Sequence, residues 1–401
     1  MTTLPRVTAD ERRARLVRRH LLTAAARAAS VQEVADALVG LHATDPATVF
    51  LAAAARMRAP TVDTIDAALY DTASGDAAHP DLARVRCMRR TLFVVPAALA
   101  PAAWAATAKA TDPHRADALA KLRDTLGWDE RRRAAVERAT LAALAARGEA
   151  SAAELAADVP DLREQFVTNP GKPYASRQRA SSPVLGLLAA EGRVRRGRPT
   201  GSWTSAQFRW APALPLPPVP VAEARAELAR HYLRAFGPVT VDDLKWWTGW
   251  TVTATRAAIA ATGAQAVETD EGTGHVLPDD VDTPAEPEPE AVLLPGLDPT
   301  PMGWRHRDWY VDPGHTRELF DRNGNIGPTV WWRGRVIGAW TQRPDGNVSH
   351  RLLVDAGSEA HAAVEAAVGR VTAFLGDARV TPCYRTPLER RLHSGHDAGS
   401  R

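Results

Sequence analysis

Three times along this chain a set of capped, apolar-patterned helices gives way to a short strand pair, and that recurrence constrains the fold more than any other feature. The first copy opens on Thr8-Ala9-Asp10-Glu11. A hydroxyl at the N-cap with a carboxylate three residues on satisfies two of the N–H groups that a helix start leaves over. Leu16, Val17, His20 and Leu21 follow at helical spacing. Ser30-Val31-Gln32-Glu33 repeats the signal ahead of Val34, Leu38 and Leu41. That helix must stop near His42, because Asp45 precedes Pro46 and a residue before proline avoids the helical region. Asp45 suits an N-cap, with Pro46 at the first helical position of a helix over 47–57. Residues 84–88 and 91–95 then read as paired strands around Arg89-Arg90. Helices followed by a two-stranded ribbon are the element order of a winged helix.

The second copy holds a helix over 130–146 and a capping box at Ser151-Ala152-Ala153-Glu154. A further helix ends at Gly192, followed by a basic strand over 193–196, a Gly/Pro loop over 197–202 and an aromatic strand over 203–208. Residues 193–209 contain five arginines and no acid. In the third copy a helix runs to Phe236, Gly237-Pro238-Val239-Thr240 breaks and recaps the chain, and helices follow over 241–247 and 251–261. Its hairpin, about Gly272-Thr273-Gly274, is acidic through Glu268, Asp270, Glu271, Asp279 and Asp280. It should repel phosphate and serve packing instead.

A Pro/Glu linker at 282–290 marks a change of texture. Strands are expected over 291–294, 329–332, 335–340 and 348–354, a helix over 359–375 stopped by Gly376, and a last strand over 380–384. The expected chain is therefore α+β. Winged-helix units occupy 1–100, 101–215 and 216–285, a small β-barrel-like domain 286–392, and a disordered tail 393–401.

Composition narrows function mainly by exclusion. No apolar run approaches the roughly 18 residues a membrane span requires, and the N-terminus lacks the apolar core of a secretory signal. Two distant cysteines, Cys87 and Cys383, make neither a disulfide framework nor a Cys-only metal site. His393 and His396 make a poor metal pair in a tail without carboxylates. Cofactors and metals are not expected, and a cytoplasmic monomer is. Of the 50 basic residues only Lys109, Lys121, Lys172 and Lys245 are lysine. Codon bias accounts for the arginine total but not for its clustering.

Six stretches together resemble the HTH_42 winged-helix superfamily, which includes DNA glycosylases of the AlkZ type acting on bulky alkyl adducts and interstrand crosslinks. They are LVGLHATDP (38–46), RCMRRTLFVVP (86–96), residues 201–210, FGPVTVDDLKWWTGW (236–250), LLPGLDP (293–299) and RNGNIGPTVWWRGRVIGAW (322–340), in family order. The resemblance implies three tandem winged-helix units and a C-terminal barrel-like domain forming a concave, DNA-sized surface. It places the family's Gln-x-Gln or Gln-x-Asp catalytic motif at the end of an early helix, where this chain has His42 and Thr44.

Two side chains at i and i+2 on an extended segment point the same way, the arrangement that one shared water needs. His42 would accept the water's proton and Thr44 would orient it. The structural alternative has His42 and Thr44 satisfying helix-end carbonyls, with Asp45 only capping the next helix. The DNA-binding candidates are Arg193, Arg195, Arg196 and Arg198 on the second wing, with Lys172, Tyr174, Arg177 and Arg179 at the position of a recognition helix. Arg89 and Arg90, with Arg84 and Arg86, form another patch. Trp246, Trp247 and Trp250 have helical spacing and read as core before they read as a base-stacking platform. The leading function is a metal-free glycosylase acting on duplex DNA that carries alkylated or bulky purines. Its rivals are a non-enzymatic winged-helix DNA-binding protein and a protein-binding scaffold whose arginine excess is compositional.

Overall fold

The computed structural model describes residues 4–71, 81–108, 112–173, 175–280, 286 and 288–395. Tyr174, His396 and most of the 282–290 linker lie outside them. The chain forms two compact units, one of residues 1–83, 87–107 and 218–401, the other of residues 84–86 and 108–217.

The first unit begins with α1 (Ala9–Arg19), whose Thr8–Glu11 capping box is complete. Helix α2 (Val31–Ala37) has half of one: Ser30 accepts from the Glu33 N–H, but the Glu33 carboxylate reaches Ala29. Strand β1 (Leu41–His42) follows, then α3 (Pro46–Ala54), started by Asp45 and Pro46. Helix α4 (Val62–Tyr70) precedes β2 (Leu82–Arg86) and β3 (Leu92–Pro96), and the sheet order is β1–β3–β2. Helix α5 (Ala100–Thr107) ends this stretch.

The second unit contains α6 (Pro113–Ala120), α7 (Glu130–Arg147) and α8 (Ala152–Asp158), the last with a full Ser151–Glu154 box. A hairpin of β4 (Gln165–Thr168) and β5 (Ser176–Arg179) comes next. Arg177 and Arg179, expected at a recognition helix, therefore stand on a strand, paired opposite Val167 and Gln165. The cause is local: β5 pairs through its backbone before α9 (Ser181–Ala190) starts at Ala180. The wing strands are β6 (Val194–Pro199) and β7 (Phe208–Pro212). Gly197, Arg198 and Pro199 belong to a strand and not to the loop, and a register break between Arg196 and Pro199 absorbs the proline. Trp128, Leu155, Leu162, Leu185 and Leu188 are buried at the centre of this unit.

The first unit resumes with α10 (Val221–Phe236), α11 (Val241–Thr248) and α12 (Val252–Ala261). Strands β8 (Gln265–Thr269) and β9 (Gly272–Val276) turn at Asp270-Glu271, two residues earlier than expected. Then β10 (Ala291–Leu294), β11 (Thr329–Trp332), β12 (Arg335–Gln342) and β13 (Val348–Leu352) make an antiparallel sheet in that order. The expected barrel is absent among the described residues. The sheet is open, and α14 (Gly357–Leu375) packs against β10 with Arg370 donating to the Ala291 carbonyl at 2.7 Å.

Residues 380–384 are not a strand, because side chains take their backbone groups. The Val380 N–H goes to Gln342 Oε1 at 2.9 Å and the Cys383 N–H to Asp45 Oδ2 at 3.1 Å, while Pro382 has no N–H. The expected tail begins instead as helix: α15 (Pro387–Ser394) includes His393, whose Nδ1–H donates to the Gln342 carbonyl at 3.0 Å.

The centre of the first unit is aromatic. Phe236 lies edge-on to His20 and Trp304 and stacks on Tyr232, and Tyr310 stacks on Trp331. Gly303 permits this, since a Cβ there would sit 2.2 Å from the Phe236 ring.

Candidate active site

The early motif is held at the edge of a sheet. His42 pairs opposite Phe93 and the Ala43 N–H continues the ladder to the Leu92 carbonyl at 2.8 Å. Alternation then buries Ala43 and leaves His42 and Thr44 partly exposed on the other side. Asp45 is committed to structure. Its Oδ1 accepts the Ala47 N–H at 3.1 Å, and Oδ2 accepts Cys383.

The His42 ring meets Phe93 edge-on at 5.1 Å, and its Nδ1 is sealed from solvent with no hydrogen-bond partner. The residue lines a cavity of about 50 Å³ together with Leu38, Arg89, Phe93, Trp247 and Asn325. That is room for a water or two and far below the 300–1,000 Å³ of a pocket that encloses a small organic ligand. Thr44 is not among the lining residues. Desolvation, and secondarily the Arg89 charge, hold His42 down at about 4, so the ring is neutral at physiological pH.

Arg89 and Arg90 occupy left-handed backbone positions at φ 50 and 61, in a turn fixed by the Arg90 N–H on Cys87 (2.7 Å) and the Thr91 N–H on Met88 (3.1 Å). The Arg89 guanidinium sits 4.5 Å from the centroid of Trp246, and that of Arg307 sits 4.8 Å from it. Of the three tryptophans at helical spacing, Trp247 and Trp250 are core: Trp247 packs on Tyr232, and Trp250 donates to the Ala106 carbonyl at 2.8 Å. Trp246 is partly exposed beneath two arginines.

The wing of the second unit is less basic in space than in sequence. Arg193 pairs with Glu137 at 3.0 Å and lies 3.7 Å from Glu191, and Arg209 pairs with Glu154 at 3.2 Å. Arg195 is partly buried, its guanidinium lowered by desolvation against the opposing pull of Glu149. Arg196 lies over the Phe208 ring at 4.3 Å, and Arg198 extends along the same strand. By contrast Lys172, Arg177 and Arg179 are exposed on and beside the β4–β5 hairpin, and among the described residues they form no ion pair. Arg84 and Arg86 are half-buried.

The acidic hairpin does pack, as its charge implied. Arg6 meets Glu268 and Asp270, Arg12 meets Glu271 at 2.5 Å, and both Arg15 and Arg19 meet Asp280. Each of these arginines lies on or just before α1. Among the described residues no group of three or more His, Cys, Asp or Glu side chains is placed to hold a metal ion. Nor is any helix among them long and apolar enough to cross a membrane.

A family model described as DNA glycosylase AlkZ-like matches residues 35–374, most of the chain. The chain belongs to the AlkZ-like DNA glycosylase family. A solved structure, the DNA glycosylase AlkZ of Streptomyces sahachiroi, matches with a TM-score of 0.67 over 94% of this chain and 98% of that one, at 19% identity. The two share an α+β fold. No match was found among curated proteins.

One group escapes the sequence altogether. Asp298, in the LLPGLDP stretch of this AlkZ-like chain, forms a fully buried bidentate pair with Arg56 at 2.6 and 2.8 Å. Arg56 also donates to the His20 and Ala52 carbonyls and to Thr300 Oγ1. The Thr300 hydroxyl is then free to donate to His20 Nδ1 at 2.8 Å, while Nε2–H donates to the Ala235 carbonyl at 3.1 Å. Desolvation and the Arg56 charge keep His20 neutral, down at about 3. This network fixes α3, directly after the His42 motif, to the loop after β10.

Proposed function

We propose that this chain is a monofunctional DNA glycosylase that hydrolyses the N-glycosidic bond of alkylated or bulky purines in duplex DNA. The observation that carries the reading is a neutral His42 beside a water-sized cavity. Three helix groups each followed by a hairpin support tandem winged-helix units over 1–100, 101–215 and 216–285 as the DNA-gripping scaffold.

In the proposed reaction a water in the cavity attacks the anomeric carbon. The electron pair of the breaking C–N bond passes to the cationic N7-alkylpurine, which leaves neutral. The water oxygen bonds the sugar, and its proton passes to His42. Desolvation keeps His42 neutral and able to accept a proton at physiological pH, as a weaker base than one poised near neutrality. Thr44 lies on the same side of the segment, outside the cavity lining, so its share in orienting the water is the lesser one.

The test is single-turnover release of N7-methylguanine from duplex DNA, read by alkaline cleavage of abasic sites. Release is expected from wild type and at the same rate in EDTA, since a cationic leaving group requires no Lewis acid. Wild-type binding with no base release would replace this reading with the non-enzymatic DNA-binding one.

A further inference from the structure

We propose that Arg89 and Arg307, both stacked on Trp246 beside the His42 cavity, form a seat for a DNA phosphodiester next to the reacting nucleotide. The inference rests on the reading of the chain as acting on DNA and adds the site that positions the backbone.

Two guanidiniums share one indole with ring-centroid distances of 4.5 and 4.8 Å. Among the described residues neither forms an ion pair with a carboxylate. This is unusual in a chain whose arginines elsewhere so often meet acids. Like charges held together without a counter-ion repel, and burial first, then the Arg307 charge, lowers the hold of Arg89 on its proton. An anion with two or more acceptor oxygens relieves the repulsion, and phosphate matches the planar fork of arginine.

Both arginines are fixed before any ligand arrives. Arg89 stands in the turn between β2 and β3 in a left-handed conformation uncommon for residues with a side chain. Arg307 is held by its Nε–H on the Trp304 carbonyl at 3.0 Å and by stacking on Phe320 at 4.6 Å. The segment carrying it hangs from Asp243, whose Oδ1 accepts the N–H groups of Arg305 (2.9 Å) and His306 (3.1 Å). The other oxygen of Asp243 completes the Thr240 capping box of α11, the helix that carries Trp246. Both oxygens of that carboxylate are thus engaged by backbone N–H and hydroxyl donors, and among the described residues neither pairs with Arg89 or Arg307. Because Arg89 also lines the His42 cavity, a phosphate on this seat lies next to the place where the sugar must react.

The experiment measures binding of an undamaged duplex to the full chain over a salt series, with thermal melts of every variant. Arg89→Gln with Arg307→Gln is expected to flatten the slope of log affinity against log salt by about 0.9, corresponding to the one phosphate of the seat. Arg307→Lys keeps the charge and is expected to retain the slope while binding more weakly. A folded double variant with wild-type slope and affinity overturns the proposal, as does a wild type that does not bind duplex. If the double variant loses the slope and no protein releases base, the seat stands and the catalytic reading fails. If wild type releases base and the double variant keeps the wild-type slope, the reverse holds.

Discussion

The wing of the second unit and the Arg89–Trp246–Arg307 stack are both arginine-rich, yet the fold treats them in opposite ways. On the wing, Glu137, Glu149, Glu154 and Glu191 come from other elements to meet Arg193, Arg195 and Arg209. At the stack no carboxylate among the described residues pairs with either guanidinium. Exposed ion pairs contribute about 0–1 kcal/mol each, so the wing pairs matter little for stability. They matter for availability, because an arginine that already faces a carboxylate has less to offer a phosphate. Sites for anions are where the counter-charge is missing and not where arginines are dense.

The sharpest way to break this contrast is to separate chemistry from grip. His42→Ala is expected to lower single-turnover base release by about 10²–10⁴-fold, the usual contribution of a positioned general base. Its edge-to-face contact with Phe93 makes His42→Gln the better-folded control. The wing triple Arg195→Ala, Arg196→Ala, Arg198→Ala is expected to leave the rate constant at saturating protein unchanged. A comparable loss in the triple would place the wing in the reaction.

Counter-charge inside the core is the opposite extreme. Removing one partner of the sealed Arg56–Asp298 pair with Asp298→Ala is expected to cost about 3–5 kcal/mol by denaturant titration, because a guanidinium is left buried and unpaired. Arg147→Ala, which opens the exposed pair with Asp158, is expected to cost no more than about 1 kcal/mol. Equal losses would refute the assignment of burial as the deciding term.

Within the second unit the same logic reverses the ranking the sequence suggests. Replacing Lys172, Arg177 and Arg179 with Ala should flatten the salt slope by up to about 2.7, three uncompensated cations at about 0.9 each. The wing triple, in which Glu149 already faces Arg195, should flatten it by less. Equal slopes would restore the wing as the principal grip.

These contrasts also mark what was legible in the residues. Capping boxes at Thr8, Ser151 and Thr240 are decided within a few residues, so the helices they open followed the pattern closely, whereas the aromatic strand expected over 203–208 runs over 208–212. The N-cap role of Asp45 was legible for the same reason. Charge pairing was not. Glu137 lies 56 residues from Arg193, and Asp298 lies 242 from Arg56. A run without acids says nothing about acids that folding brings to it. Arg307 offered one unread signal: it stands between Trp304 and Trp309, where a cation among aromatics is a stacking candidate. The final strand failed because side chains of Asp45 and Gln342 captured the backbone groups a ladder would have used.

The smallest predicted effect is a shift in one titration. His42 is held at about 4 by desolvation first and by the Arg89 charge second. Arg89→Gln removes only the second cause, so the His42 midpoint, followed by NMR of the ring, should rise while staying nearer 4 than the ordinary 6.5. The sign of the linked stability follows. The folded state binds the proton less tightly than the unfolded chain, so His42 contributes fully above 6.5 and its contribution is lost as pH falls through about 4. Arg89→Gln narrows that window from below, and the acid limb of base release should move up with it. The wing variants, whose arginines do not touch His42, should leave the midpoint in place. A midpoint at 6.5 in wild type would remove desolvation as the cause and, with it, the neutral base on which the catalytic reading depends.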